Sequence, residues 1–439
     1  VFIWFNIFHI NTGGSQIGFG IVSKNTSIDK KEQFEKIIFE TLNNLVQKGI
    51  DKKLIEACVN IVEYNLREAS RFPTKGIIYN IQSLDSWLYD GGPTTHLQYE
   101  ETLDRLKSNI DTDYFEKFIE QYIIHNTHSS LVMISPKKGL GEEKNRILEE
   151  KLAKYKNSLT EKEIQELIAE NKKLKEMQVS EDTSEDKATI PKLSISDVEP
   201  KAEIIPQEIF KDGNTTLLFH NIFTSKIAYV DLYFNIDMID EELIPYITLL
   251  SGIIGKIDTK TKTYSELSNE IYINTGGIDF NTDVYTEGHS DNIYYPKFIV
   301  KGKAIGNNII KLMELISELI LESKIEDEKR IKEIMQQIKS RIEMNIFDIG
   351  HSIASQRVGS YFSPSGKYRE KLKGLDFYWF ISDILEKFDN NSGEILSNLN
   401  RVYDSIFNIN NLIISFTGDK EDFSIIKDNL KIITEKLNK

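Results

Sequence analysis

The sequence predicts an α+β fold of two sheet-and-helix units, residues 1–138 and 207–439, joined by a charged helical hairpin and linker over residues 139–206. Three observations predict it. Apolar residues alternate as in strands and then recur at helical spacing, in both halves of the chain. Each half closes on the same order, a long helical stretch, a short apolar strand and a helix: the strand is Ser130-Leu131-Val132-Met133-Ile134-Ser135-Pro136 in the first half and Asn411-Leu412-Ile413-Ile414-Ser415-Phe416-Thr417-Gly418-Asp419 in the second. Between them, residues 141–176 are rich in Glu, Lys and Leu with few turn formers, which suits two long solvated helices better than a packed sheet.

Taken in order, the first strands are expected over residues 1–10 and 16–22, paired as a hairpin through Asn11-Thr12-Gly13-Gly14. From residue 29 to about 71 two amphipathic helices follow, broken at Gly49; the apolar set of the second is Leu54, Ile55, Cys58, Ile61, Val62 and Leu66. Helical blocks over 77–89, 102–110 and 114–124 lead to a strand at 129–136 ended by Pro136. After the helical hairpin, the acidic run at 180–186 and Pro191, Pro200 and Pro206 mark a linker too polar to hold a core. The acidic run reads as a solvated loop, since nothing fixes its oxygens into a cage.

The second unit begins with strands at 215–220 and 227–236 and helices at 241–254 and 264–272. Gly276-Gly277 then opens paired strands at 278–285 and 297–304. Helices over 309–321, 326–347, 352–362, 377–388 and 395–407 precede a strand at 412–416 and a last amphipathic helix.

Composition bounds the function. A chain of 439 residues, 40% hydrophobic and 28% charged, is long enough for two or three domains with real cores. A net charge of -14 with no large basic patch argues against nucleic-acid binding. The apolar opening is about ten residues long with no basic start and no small-residue cleavage site, so it reads as neither a membrane span nor a signal peptide. Residue 1 is Val rather than Met, so the chain is expected to be an internal piece of a longer protein. Its single cysteine, Cys58, lies in an apolar helical run; a buried thiol in a reducing compartment is the expectation.

Chemistry-bearing patterns are sparse. The histidines His9, His96, His125, His128, His220, His289 and His351 are scattered, and none begins a His-x-x-Glu-His run that would set two imidazoles on one helical face around zinc. His125-x-x-His128 has metal-like spacing but no third ligand nearby in sequence, and reads as structural or surface; a stand-alone enzyme built on it would require a copurifying metal. His96 with Glu100 and Glu101 is an ordinary helical-spacing pair. There is no Gly-x-Ser-x-Gly elbow and no Gly-x-x-x-x-Gly-Lys-Ser/Thr phosphate loop.

The run Glu56-Ala57-Cys58-Val59-Asn60-Ile61-Val62-Glu63-Tyr64-Asn65-Leu66-Arg67-Glu68 resembles the presequence-protease branch of the insulinase-like (pitrilysin) metallopeptidases, which includes falcilysin. The resemblance continues through Trp87-Leu88-Tyr89-Asp90, the charged hairpin, Ile273-Asn274-Thr275-Gly276-Gly277-Ile278, Gly350-His351, Ser360-Tyr361-Phe362-Ser363 and Gly374-Leu375-Asp376-Phe377-Tyr378. It covers nearly everything from about residue 16 to the end.

That resemblance implies four homologous domains, each an antiparallel sheet flanked by helices, closing in two halves around a peptide-sized chamber. This chain would supply the second domain (1–138, N-terminally truncated), the hinge (139–206) and the third, peptidase-associated domain (207–439). The zinc, its two His and one Glu ligands and the base that activates water belong to a first domain, and a fourth supplies an Arg and a Tyr that hold substrate. Arg357 and Tyr361 stand at helical i,i+4 spacing in the third-domain region and read as structural. The family-motif positions are Asn60, Glu63, Arg67, Glu68, Trp87, Gly276, Gly277, His351, Arg357 and Tyr361; none is assigned to catalysis or metal. Zinc is expected in the parent enzyme and none in this chain. The implied partners are peptide substrates, met through the complete enzyme, and the missing first and fourth domains. The acidic surplus would favour basic peptides within a closed cavity. The implied compartment is the bacterial cytoplasm, or an organelle if the source is eukaryotic. A stand-alone non-catalytic subunit that binds peptide or a catalytic chain is the alternative.

Overall fold

The computed structural model describes residues 4–11, 17–24, 27–68, 75–202, 204–213, 215–288 and 290–437. Most of the expected turn at 11–14 lies outside them, as does His289, and so does the side chain of His9. The chain divides into two compact units. One holds residues 1–6, 21–38 and 126–204; the other holds 7–20, 39–125 and 205–439.

Strands β1 (Trp4–Asn11) and β2 (Ile17–Lys24) pair as a two-stranded sheet, as the alternation predicts. Helices α1 (Lys31–Lys48) and α2 (Lys52–Glu68) follow, and α3 (Lys75–Trp87), α4 (Glu100–Ser108) and α5 (Tyr114–Ile119) complete the early helical run. Ile55, Val59 and Leu103 make a small core between α2 and α4.

Two expectations fail here. Residues 126–137 form no strand. Val132 is 74% exposed and Ile134 92%, and no described strand offers the ladder that an isolated segment needs. Cys58 is exposed rather than buried. The reason is helical phase: α2 buries Ile55, Val59 and Glu63 on one side and Ala57 and Tyr64 on another, leaving Leu54, Cys58 and Val62 as a stripe facing out.

The charged stretch forms the expected helices, α6 (Leu140–Ser158) and α7 (Glu161–Val179). Thr160 and Glu163 start α7 with a reciprocal capping box. Leu152, Tyr155, Leu159, Ile164, Leu167 and Ile168 line a groove along the two helices. A short helix, α8 (Ser184–Thr189), interrupts the polar linker that follows.

The second unit is organised by six strands: β3 (Glu208–Asp212), β4 (Thr215–His220), β5 (Ile227–Asn235), β6 (Ile278–Glu287), β7 (Ser290–Ile305) and β8 (Leu412–Thr417). Their order is β3-β4-β8-β5-β7-β6. The sheet is mixed rather than purely antiparallel, because β8 returns through a long helical excursion to lie parallel to β4 while pairing antiparallel with β5.

Between β5 and β6 run α9 (Ile244–Ile253) and α10 (Tyr264–Asn274); after β7 come α11 (Ile309–Glu322), α12 (Glu328–Asp348), α13 (Gly350–Gly359), α14 (Pro364–Lys373), α15 (Leu375–Glu386) and α16 (Phe388–Ile406). The last helices are α17 (Lys420–Asp428) and α18 (Lys431–Thr434). Helices α9, α11 and α14 cover one face of the sheet. The core lies there, built from inward residues such as Leu232, Phe234, Phe298, Val300 and Ile414, against Leu249, Leu312 and Ile316.

Candidate functional site

Six of the sequence-singled residues converge where α2 meets α10, α4 and β7, all within the larger unit. Asn60 Nδ2 donates to the carbonyls of Tyr272 and Ile273 at 3.0 Å and of Thr275 at 3.4 Å, satisfying acceptors left open where α10 ends. Gly277 takes the left-handed region, φ +117°, and its N–H donates to Thr275 Oγ1 at 3.0 Å, a conformation that glycine adopts without steric cost. At Gly276 the demand is space: a Cβ would sit 2.6 Å from Tyr64 Cδ1 and 2.7 Å from Lys303 Cε. The buried ring of Tyr64 therefore packs against bare backbone.

One turn beyond Tyr64, Glu68 Oε1 accepts from Lys303 Nζ at 2.5 Å and from the Tyr229 hydroxyl at 3.0 Å. The Glu68 and Lys303 side chains are only 11% and 12% exposed, so the pair is largely withdrawn from water. On the neighbouring side of α2, Glu63 is bound by Arg67 Nη2 at 2.7 Å and Lys107 Nζ at 2.6 Å. Burial pushes its carboxyl up, but Lys107 and Arg67 outweigh that and hold it below the usual carboxylate range.

A second cluster gathers on α13, α14 and α15. Arg357 Nη1 donates to Asp376 Oδ1 at 2.8 Å and to Glu370 Oε1 at 3.1 Å. These two carboxylates hold the guanidinium firmly charged. Its cationic plane lies 5.6 Å from the ring centre of Tyr361 and 5.4 Å from that of Trp379, within reach of cation–π attraction. Glu370 also accepts from Leu375 N–H at 2.9 Å, across the junction of α14 and α15. Trp87, at the end of α3, and His351, in α13, are exposed and join neither cluster.

The face of the large sheet away from α9, α11 and α14 carries Tyr229, Asp231 and Tyr233 from β5, Asp279, Asn281, Asp283 and Tyr285 from β6, and Lys297, Lys301 and Lys303 from β7. Tyr233 donates to Asp231 Oδ2 at 3.2 Å, and its ring meets Tyr285 edge-on at 6.2 Å. Burial raises the Asp231 carboxyl above its usual range, against the pull of Lys301 and the Tyr233 hydrogen bond. Burial likewise pushes the Tyr233 phenol up.

Among the described residues no three His, Cys, Asp or Glu side chains converge as metal donors, so zinc has no fitting donor set in them. His125 and His128 are both exposed. No described helix is long and apolar enough to cross a membrane. Sequence reasoning missed Tyr229, Lys303, Lys107, Glu370 and Trp379; each acts on a partner distant along the chain, as Lys303 on Glu68 at a separation of 235 residues.

A family model described as Peptidase M16-C associated matches residues 134–384. The chain is 42% identical over 425 residues to Protein HypA of Clostridium perfringens (strain 13 / Type A), covering 96% of this chain and 43% of that protein. It is 29% identical over 422 residues to Presequence protease 1, chloroplastic/mitochondrial, of Arabidopsis thaliana, covering 94% and 38%. Identity to the mitochondrial Presequence protease of Xenopus laevis is 24% over 386 residues, covering 88% and 37%. The chain thus spans about two-fifths of the length of these relatives.

Proposed function

This chain belongs to the Peptidase M16-C associated family, within the presequence-protease-like branch of the insulinase-type peptidases, and from that premise we propose that it is a non-catalytic middle portion of a zinc-dependent endopeptidase. In this reading residues 1–138 and 207–439 are the second and third domains and residues 139–206 the hinge. The polar face of the six-stranded sheet is a wall of the chamber in which short unfolded peptides are held. Zinc would supply an activated water in the parent enzyme; its ligands and the base would come from a first domain, and a fourth would complete the substrate site. This chain's own residues position peptide and join the halves. HypA is from a bacterium and the presequence proteases are named as chloroplastic or mitochondrial, so the compartment in this reading is the bacterial cytoplasm or, for a eukaryotic source, an organelle.

The observation that carries the reading is a sheet whose one face is covered by α9, α11 and α14 while the other carries Tyr233, Asp231, Tyr285, Lys297 and Lys301, with Glu68 of α2 bonded to Tyr229 and Lys303 on it. An unfolded peptide bearing a photo-crosslinker, added to the completed enzyme, is expected to label β5, β6 and β7 on that face. Labelling confined to α11, α14 and the α6–α7 hairpin would refute the wall.

A further inference from the structure

Two helices joined by Leu159 and Thr160 cannot cover both sides of their own seam, and neither α6 nor α7 buries a residue fully. The groove along them measures about 730 Å³ and stands open, with Leu152, Tyr155 and Ile168 all more than half exposed. Lys156, Lys172 and Lys175 also line it, and no carboxylate does. Lys172 pairs with the exposed Glu176 at 3.8 Å. Lys156 and Lys175 have no ion-pair partner among the described residues.

The segment after α7 carries the complementary chemistry, within the same compact unit. Residues 180–199 hold six Asp and Glu against two Lys. Ile190, Leu193, Ile195 and Val198 are all exposed there, Leu193 at 85% and Ile195 at 94%. The Ser194 N–H and hydroxyl donate to Asp197 Oδ2 at 2.7 and 2.9 Å, closing a single turn over Ile195–Asp197 that brings Ile195 and Val198 to one side. The segment can reach the groove. Lys175 lies about 6 Å along the axis before the end of α7. Ten residues, six of them in α8, separate that end from Ile190, enough chain to turn back. From Ile190 to Val198 an extended chain covers about 26 Å, against about 17 Å from Ile164 to Lys175 on α7.

We propose that residues 190–199 are a strap that closes over the α6–α7 groove, seating Leu193, Ile195 and Val198 on its apolar floor with Asp197 and Glu199 beside Lys156 and Lys175. The structure shows the strap open, since none of its residues lines the groove. Closing takes apolar side chains out of water and takes up slack in the linker between α7 and β3, so the strap acts as a latch on the hinge. The groove of a second copy is the poorer occupant: two grooves face to face would set lysines against lysines. This deepens, and rests on, the hinge reading of residues 139–206.

The test uses the full chain with Cys58→Ser as background and one cysteine pair in each protein. Ser196→Cys with Asn171→Cys, which lines the groove, is expected to form an intrachain disulfide on mild oxidation about tenfold or more faster than Ser196→Cys with Lys173→Cys, on the opposite face of α7. Adding Leu193→Asp with Ile195→Asp is expected to erase that difference, and adding Lys156→Glu with Lys175→Glu to narrow it severalfold at low salt. Equal rates for the two pairs, or a difference untouched by Leu193→Asp with Ile195→Asp, overturns the strap. Disulfides between chains, rising with protein concentration, overturn it in favour of exchange between copies. In the completed enzyme, the strap locked by the disulfide is expected to slow cleavage of an unfolded peptide severalfold, with reductant restoring it. Unchanged cleavage overturns the latch. Cleavage absent from locked and reduced enzyme alike strikes the peptidase reading, while the disulfide rates on this chain still decide the strap.

Discussion

Removing one partner of the Glu68–Lys303 pair is expected to loosen α2 from β7 and β5. Two unit charges roughly 4 Å apart attract by about 4 kcal/mol at an effective dielectric of about 20. Withdrawing each from water costs several kcal/mol, so the intact pair contributes little net stability. A single deletion leaves the other charge buried among groups suited to its partner. Both side chains are nearly nine-tenths buried. Lys303→Met or Glu68→Gln alone is therefore expected to destabilise by about 3 kcal/mol. The double variant should cost only about 1 kcal/mol, since no orphaned charge remains. Urea unfolding of the four proteins gives the coupling energy, and amide exchange along α2 shows where the loss falls. A double variant whose loss equals the sum of the two single losses within about 0.5 kcal/mol would refute the reasoning, because independent surface charges add in that way.

Gly276→Val forces a side chain into the Tyr64 ring. It is expected to cost about 2 kcal/mol, read as a lower urea midpoint with an unchanged slope. Asn60→Ala leaves the end of α10 without its cap; a loss of about 1–3 kcal/mol is expected, with exchange rising first at Ile273 and Thr275. Glu63 is held below the ordinary carboxylate range, so its contribution is present above the unfolded-state value, about 4.3, and is lost as pH falls through the lower folded value. The acid limb of an unfolding titration should therefore flatten in Glu63→Gln. Cys58, exposed on α2, should react with a thiol reagent in native protein at the rate seen in urea; strong native protection would contradict its placement.

Strongly periodic segments were legible. The helices α6, α7 and α11, the strands β4 and β5 and the Gly276-Gly277 turn before β6 all fall where spacing puts them, because local pattern alone specifies them. What was not legible depends on partners. Strand β3 is mostly exposed and carries little alternation. Helix α14 is rich in Lys, Arg and Glu and buries only Ser365, Glu370 and Leu372, although Ser363-Pro364 is a usable start signal. Residues 129–136 have a strand's composition, but composition supplies no neighbour to pair with. Cys58 escapes the expected burial because α2 buries two faces and the apolar run Leu54-Cys58-Val62 lies on neither.

The site divides the same way. Asn60, Glu63, Glu68 and the glycines stand out through a family resemblance, and geometry shows what they touch: a helix end, an arginine and a lysine, a strand lysine and a tyrosine ring. Their partners Lys303 and Tyr229 lie on β7 and β5 and carry no local signature.

On the function proposed above, this chain shapes and holds but does not cut. Zinc content and cleavage of an unfolded peptide, measured side by side on this chain and on the chain joined to a His-x-x-Glu-His domain and the remaining fourth domain, test that most directly. The chain alone is expected to be metal-free and inert, while the joined protein binds zinc and cleaves. Stoichiometric zinc and cleavage by the chain alone would contradict it.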